Sequence, residues 1–168
     1  MAAVLIAVRP VSAQRIDLSA GISKVAFIGE GRTPFAPGAG MTVHFSPRHA
    51  VQLTTDVTYD AGPGASELDV IYSVQYRHAF ARHDQWLGFV TVGAAGAAER
   101  NHINNPARTH SHVYPPAVPV VGGGAEYRIG RHVAWRADLT FGIGPSAAIV
   151  VRAAVGGVIR LGSERVTK

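Results

Sequence analysis

The chain has 168 residues, the size of one domain, and 47% of them are hydrophobic, which excludes an intrinsically disordered chain. It contains no cysteine, which excludes disulfides and thiolate metal sites, and no apolar run reaches the ~18 residues that a membrane-spanning helix needs. The net charge is +5, but Lys24 and Lys168 are the only lysines and the arginines are scattered singly, which argues against a nucleic-acid-binding protein.

The first residues of the chain predict an export signal. Residues 1–8 form a short apolar run, and Val11, Ser12 and Ala13 fit the small-x-small pattern of a cleavage site. Residues 1–13 are therefore interpreted as a signal peptide, truncated because the usual basic start is missing. Residues 14–168 are interpreted as a single domain outside the cytoplasm.

A strict alternation of apolar and polar residues follows the signal and recurs along the chain. Ile16, Leu18, Ala20 and Ile22 alternate with polar or small residues, which predicts a β-strand with one face of each kind. The same period marks seven segments: 15–23, 40–46, 51–59, 67–77, 121–129, 132–141 and 151–161. An eighth strand is predicted at 86–98. The segment 86–98 is apolar on both faces, so its orientation stays open.

The connections between these segments alternate between short and long. Short turns are predicted at 47–50, 81–85 and 130–131, and longer Gly- and Pro-rich connections at 24–39, 60–66, 99–116 and 142–146. In an up-and-down meander, alternate connections lie at opposite ends. The sequence therefore predicts an all-β fold, an eight-stranded antiparallel up-and-down barrel with tight turns at one end and longer loops at the other.

Two kinds of closed barrel fit this pattern, and the chemistry of the polar face separates them. That face holds short polar side chains, glycines and arginines but almost no lysine, which suits a crowded interior better than a water-facing surface. Its opposite charges can pair, as buried charges must. The predicted interior network consists of Asp17, Asp56, Asp69, Arg77, Glu126, Arg128, Arg136, Asp138 and Arg152, with Arg160 on the same face.

Aromatic residues fall near the ends of the predicted strands. Phe45, Tyr76, Trp86, Tyr127 and Trp135 lie near the short turns. Tyr59 and Phe141 lie near the long connections. Two aromatic girdles, one at each interface, are typical of a barrel that spans a bilayer.

With alternating strands, a polar interior and two girdles, the segment 15–161 resembles the small eight-stranded outer-membrane β-barrel proteins of Gram-negative bacteria, the OmpA/OmpX-like class. The resemblance implies short periplasmic turns, longer extracellular loops and contact with outer-membrane lipid. It implies a non-enzymatic role in envelope structure or surface interaction through the loops, with a partner left open and no cofactor. One departure is that the last strand ends at Leu161 instead of an aromatic residue.

Two other functions remain open at this stage. A secreted soluble barrel would bind an apolar ligand in a cavity lined by Leu53, Val70, Tyr72 and Leu139. A lipid-modifying outer-membrane enzyme would need a Ser–His pair, for which the sequence offers no matching strand motif. No catalytic residue is therefore assigned.

The segment 101–116 holds the best candidates for a metal site. Its imidazoles are His102, His110 and His112, but the segment has no carboxylate of its own. The expectation is that no metal is bound.

Overall fold

The computed structural model describes residues 15–28, 35–62, 65–103, 110–113, 117–143 and 149–162. Within these ranges the chain forms nine strands: β1 (Arg15–Ile28), β2 (Phe35–His44), β3 (His49–Gly62), β4 (Ala65–His83), β5 (Trp86–Ile103), β6 (His110–Val113), β7 (Val118–Arg128), β8 (Val133–Ile143) and β9 (Ile149–Leu161). None of the described residues belongs to a helix of the length and hydrophobicity that would cross a bilayer.

The strands form one closed antiparallel ring. Each main strand pairs with its neighbours in the chain, β4 pairs with β5, and β9 pairs with β1 to complete the circle. The short strand β6 pairs with the same edge of β5 as β7 does, farther from the short turns. Together, β6 and β7 therefore occupy one strand position of the barrel. The predicted eight-stranded up-and-down barrel is confirmed.

Several strands are longer than the alternation predicted. β4 has 19 residues and β5 has 18, and β2 already begins at Phe35, inside the expected connection 24–39. A register shift between Ala79 and Ala81 breaks the alternation near the end of β4. In β2, Pro37 and its neighbouring glycines have a loop-like composition, but β1 holds them in register, with Ile22 opposite Pro37.

The short turns gather at one end of the barrel, here called the short-turn end. They are residues 45–48, 84–85 and 129–132, close to the predicted positions. The turn between β4 and β5 has two residues, and Asp84 adopts a positive φ of 49° there, a conformation that aspartate tolerates better than most residues.

The inner and outer faces of the barrel carry side chains of different polarity. Among the residues whose side chains the structure describes, fifteen polar or charged ones are buried, namely Asp17, Ser23, Thr42, His44, Gln52, Asp56, Thr58, Ser73, Gln75, Arg77, Thr91, Glu126, Arg136, Thr140 and Arg160. Large apolar side chains such as Ile22, Val92 and Val155 are more than half exposed. The barrel is therefore polar inside and apolar outside, as the sequence predicted.

This polarity decides two questions that the sequence left open. In β5, Leu87 and Phe89 point inward while Val90 and Val92 point outward. The residues expected to line the cavity of a soluble, ligand-binding barrel are on the outer face instead of the interior. Leu53, Tyr72 and Leu139 are exposed there, and Val70 is half-exposed. The interpretation as a soluble barrel with an apolar cavity is therefore wrong.

Candidate functional site

One carboxylate lies at the centre of the lumen's largest charge cluster. Glu126 on β7 is fully buried, and its oxygens are 2.8 Å from Arg77 Nη1, 3.1 Å from Arg136 Nε and 3.1 Å from Arg160 Nη2. Inward-facing positions on β4, β8 and β9 supply these arginines. Arg136 also donates a hydrogen bond to Thr42 Oγ1 on β2 at 3.1 Å. This Glu126 cluster therefore ties five strands together across the lumen.

An aromatic ring covers the Glu126 cluster. The guanidinium carbon of Arg77 lies 3.8 Å from the centroid of the Phe89 ring, within cation–π range, and that of Arg136 lies 5.9 Å away. The ring has room because Gly124 on β7 lacks a side chain: a Cβ there would come within 2.8 Å of Phe89 Cζ. Phe89 and the arginines thus fill this part of the lumen.

A second cluster is built around one arginine. Arg152 on β9 donates from Nε and Nη2 to the two oxygens of Asp56 on β3, at 2.6 and 3.1 Å. It also donates from Nη1 to Asp138 on β8 at 2.7 Å, and Ser23 donates to Asp56 at 2.7 Å. A guanidinium group that donates two hydrogen bonds to the two oxygens of one carboxylate makes a strong and directional contact. This Arg152 cluster links β1, β3, β8 and β9.

A third contact lies close to the short-turn end. Asp17 is fully buried, and its Oδ2 is 2.9 Å from Arg15 Nη2 and 2.8 Å from His44 Nε2. The ring of His44 therefore lies against Asp17, inside the barrel.

Most of the nine residues predicted to form the interior network lie in the three groups described above. Seven lie in the three contacts just described: Asp17, Asp56, Arg77, Glu126, Arg136, Asp138 and Arg152. Asp69 accepts a hydrogen bond from Thr58 at 3.2 Å, and Arg128 is half-buried at the end of β7. The sequence interpretation left out Arg15, His44 and Phe89. For His44, the shared face with Thr42 was the available signal.

A small cavity lies beside the Arg152 cluster. Its volume is about 40 Å³, and Ser19, Thr54, Asp56, Asp138 and Arg152 contribute to its lining. That volume is large enough for about three water molecules.

Replacing Arg152 with methionine is expected to lower the free energy of unfolding by about 2–3 kcal/mol, because two buried carboxylates lose their shared cation. Chemical unfolding of the variant in detergent micelles measures the change. A suitable control is Lys24→Met, which removes a cation from the exposed outer side of β1. Equal losses in both variants would contradict a structural role for the Arg152 cluster.

The predicted girdle residues all project outward. Phe45, Tyr59, Tyr76, Trp86, Tyr127, Trp135 and Phe141 are each between 37% and 68% exposed. At the short-turn end the rings contact one another: Trp86 and Tyr127 have centroids 4.9 Å apart, and Phe45 and Tyr76 are 6.4 Å apart. His49 lies between the latter two and hydrogen-bonds the Tyr76 hydroxyl.

The candidate metal ligands lie in strands instead of in a continuous loop. His102 is in β5, and His110 and His112 are in β6, opposite Asn101 and Glu99. Their side chains lie outside the described residues. Across the side chains that the structure does describe, no group of three metal-binding residues forms and no hydrogen bond joins a serine hydroxyl to a histidine ring.

No protein-family model and no curated protein matches the sequence. Solved structures do match the fold. The attachment invasion locus protein Ail of Yersinia pestis, in complex with the heparin analogue sucrose octasulfate, aligns with a TM-score of 0.65 at 13% identity over 88% of this chain and 99% of that one.

Two further structures show the same likeness. The N-terminal β-barrel domain of Pseudomonas aeruginosa OprF aligns with a TM-score of 0.65 at 13% identity, over 88% of this chain and 97% of that one. Neisserial surface protein A aligns with a TM-score of 0.61 at 12% identity, over 87% and 96%. The predicted resemblance to small eight-stranded outer-membrane barrels is confirmed at the level of the fold.

Proposed function

We propose that this chain is a non-enzymatic outer-membrane β-barrel, and that the paired charged side chains in its closed interior make the barrel rigid. Its long connections act at the cell surface or in the envelope. One observation carries the proposal: charged side chains such as Arg77 and Glu126 are buried inside the ring, while large apolar side chains cover its outside. Water outside would leave this apolar belt exposed, whereas bilayer lipid matches it.

The filled lumen favours a structural role over a conducting one. Eight strands enclose a space that side chains can fill, and Phe89 and the three arginines around Glu126 do so. The Glu126 and Arg152 clusters stabilise the barrel by joining strands that are not neighbours in the ring. Residues 1–13 fit this proposal as an export signal.

The long connections are the proposed site of contact with a partner. The strand ends that these connections join lie opposite the short turns, on the outer side of the cell if the short turns face the periplasm, as in the class that the sequence resembles. The solved complex of Ail with a sulfated sugar analogue is an example of ligand binding by a protein with this fold. Which partner this chain contacts is a separate question from whether it spans the outer membrane.

Heat-modifiability tests the membrane barrel directly. The chain, refolded from urea into detergent micelles, is run on a gel with and without boiling. The unheated sample is expected to migrate as a compact band and to shift on boiling, because a closed ladder of strands resists the detergent. Absence of a shift, together with full solubility in plain buffer, would contradict the proposal.

A further inference from the structure

An arginine followed by a histidine lies in or directly beside every short turn of the barrel. The three pairs are Arg48–His49, Arg82–His83 and Arg131–His132. All three arginines are exposed, as are His83 and His132, and His49 is half-exposed. The described turn residues include one acidic residue, Asp84, whose carboxylate lies 3.4 Å from the ring of His83. The short-turn end therefore presents an excess of positive charge, distributed around the ring.

These Arg–His turns lie next to the aromatic girdle of the same end. Phe45 precedes Arg48 by three residues, Trp86 follows Arg82 by four, and Trp135 follows Arg131 by four. Aromatic side chains of this kind settle at the headgroup level of a bilayer. Because the turns are only two to four residues long, they cannot extend far beyond that level. The guanidinium groups are thereby held close to the plane of lipid phosphates.

Resting on the proposed membrane location, we infer that the Arg–His turns bind the phosphate groups of anionic phospholipids in the leaflet that the short-turn end contacts. A guanidinium presents a planar fork of donors that matches two phosphate oxygens, and it keeps its charge at any physiological pH. The neighbouring histidines add ring N–H donors beside each guanidinium group.

The chain offers a built-in probe for this lipid layer. It has two tryptophans, Trp86 and Trp135, both more than half exposed and both in the short-turn girdle. Brominated lipids quench tryptophan on contact, so quenching reports which lipid occupies the sites beside these rings. The full chain is reconstituted in vesicles of phosphatidylcholine containing about one-fifth phosphatidylglycerol, with bromine on one lipid or the other.

The expected result is a selective enrichment of the anionic lipid. Relative quenching is predicted to favour phosphatidylglycerol by about twofold or more at low salt, and the preference is predicted to fall towards unity at about 0.5 M salt. Replacing Arg48, Arg82 and Arg131 together with glutamine is expected to abolish the preference. Lys24→Gln, which removes a cation at the other end of β1, is expected to leave it intact.

Each other outcome has a defined meaning. Equal quenching by both lipids in the parent protein would overturn the inference, as would a preference that survives in the triple variant. If the triple variant fails the heat-shift test, Arg131→Gln alone is measured, and an unchanged preference would overturn the inference. No quenching by either lipid would contradict the membrane location itself, a separate failure.

Discussion

Replacing Glu126 with glutamine is expected to lower the free energy of unfolding by about 3–5 kcal/mol, the usual result when one partner of a buried ion pair is removed. Three arginines approach this one carboxylate, and each is at most 5% exposed. Arg77 Nη2 and Arg160 Nε are already buried without a hydrogen-bond partner among the described residues. The variant would leave three like charges facing one another in the lumen.

Glutamine is the informative replacement because it keeps the shape of glutamate while it removes the charge and replaces one acceptor oxygen with an NH2 donor. Unfolding by urea in detergent micelles, followed by tryptophan fluorescence, gives the free energy. Asp84→Asn is the matched control: it neutralises a carboxylate on an exposed turn, 3.4 Å from His83, and is expected to unfold at the parent's urea concentration.

Parent-like stability of the Glu126→Gln variant would mean that water reaches the three arginines. The closed lumen, and with it the argument for a structural interior, would then be wrong. Loss of stability in both variants would instead point to a general sensitivity of the fold to charge.

The orientation of most strands was predictable because alternation is a property of the chain itself. Once one side chain of a strand faces inward, the period of two fixes the rest. Asp17, Thr42 and Gln52 therefore fall inside as the pattern required, and Leu18 and Leu53 fall outside. The absence of lysine from the polar face then indicated which side was the lumen.

The pairing of charges was not predictable, because it depends on how the ring closes. Arg136 contacts Thr42 across 94 positions of sequence, and Arg152 contacts Asp56 across 96. Such contacts follow from the register and tilt of the whole barrel, which no local pattern encodes. The inward position of Phe89 depends in the same way on Gly124 and Arg77, which lie on neighbouring strands.

Replacing Gly156 with alanine is expected to prevent the barrel from closing. Gly156 lies opposite Gly21 where the last strand meets the first, so the pairing of β9 with β1 depends on this point. A Cβ on Gly156 would contact the carbonyl oxygen of Ala20 and come within 2.8 Å of Gly21 Cα. These are backbone atoms, which cannot move without breaking the hydrogen bonds between β1 and β9. The destabilisation should therefore exceed the ~1–3 kcal/mol that is typical of an overpacked core.

The neighbouring glycine supplies a control for the same strand. Gly157 has the opposite orientation, and a Cβ there would meet nothing within 4 Å. The alanine variant at 157 is expected to keep the heat-modifiable band of the parent, while the variant at 156 is expected to lose it. Two parent-like bands would show that β1 and β9 can separate enough to admit a methyl group, and the tight closure between Gly21 and Gly156 would be refuted. Loss of both bands would indicate that this part of β9 tolerates no side chain on either face, and the close approach of Gly156 to β1 would then not be the specific cause.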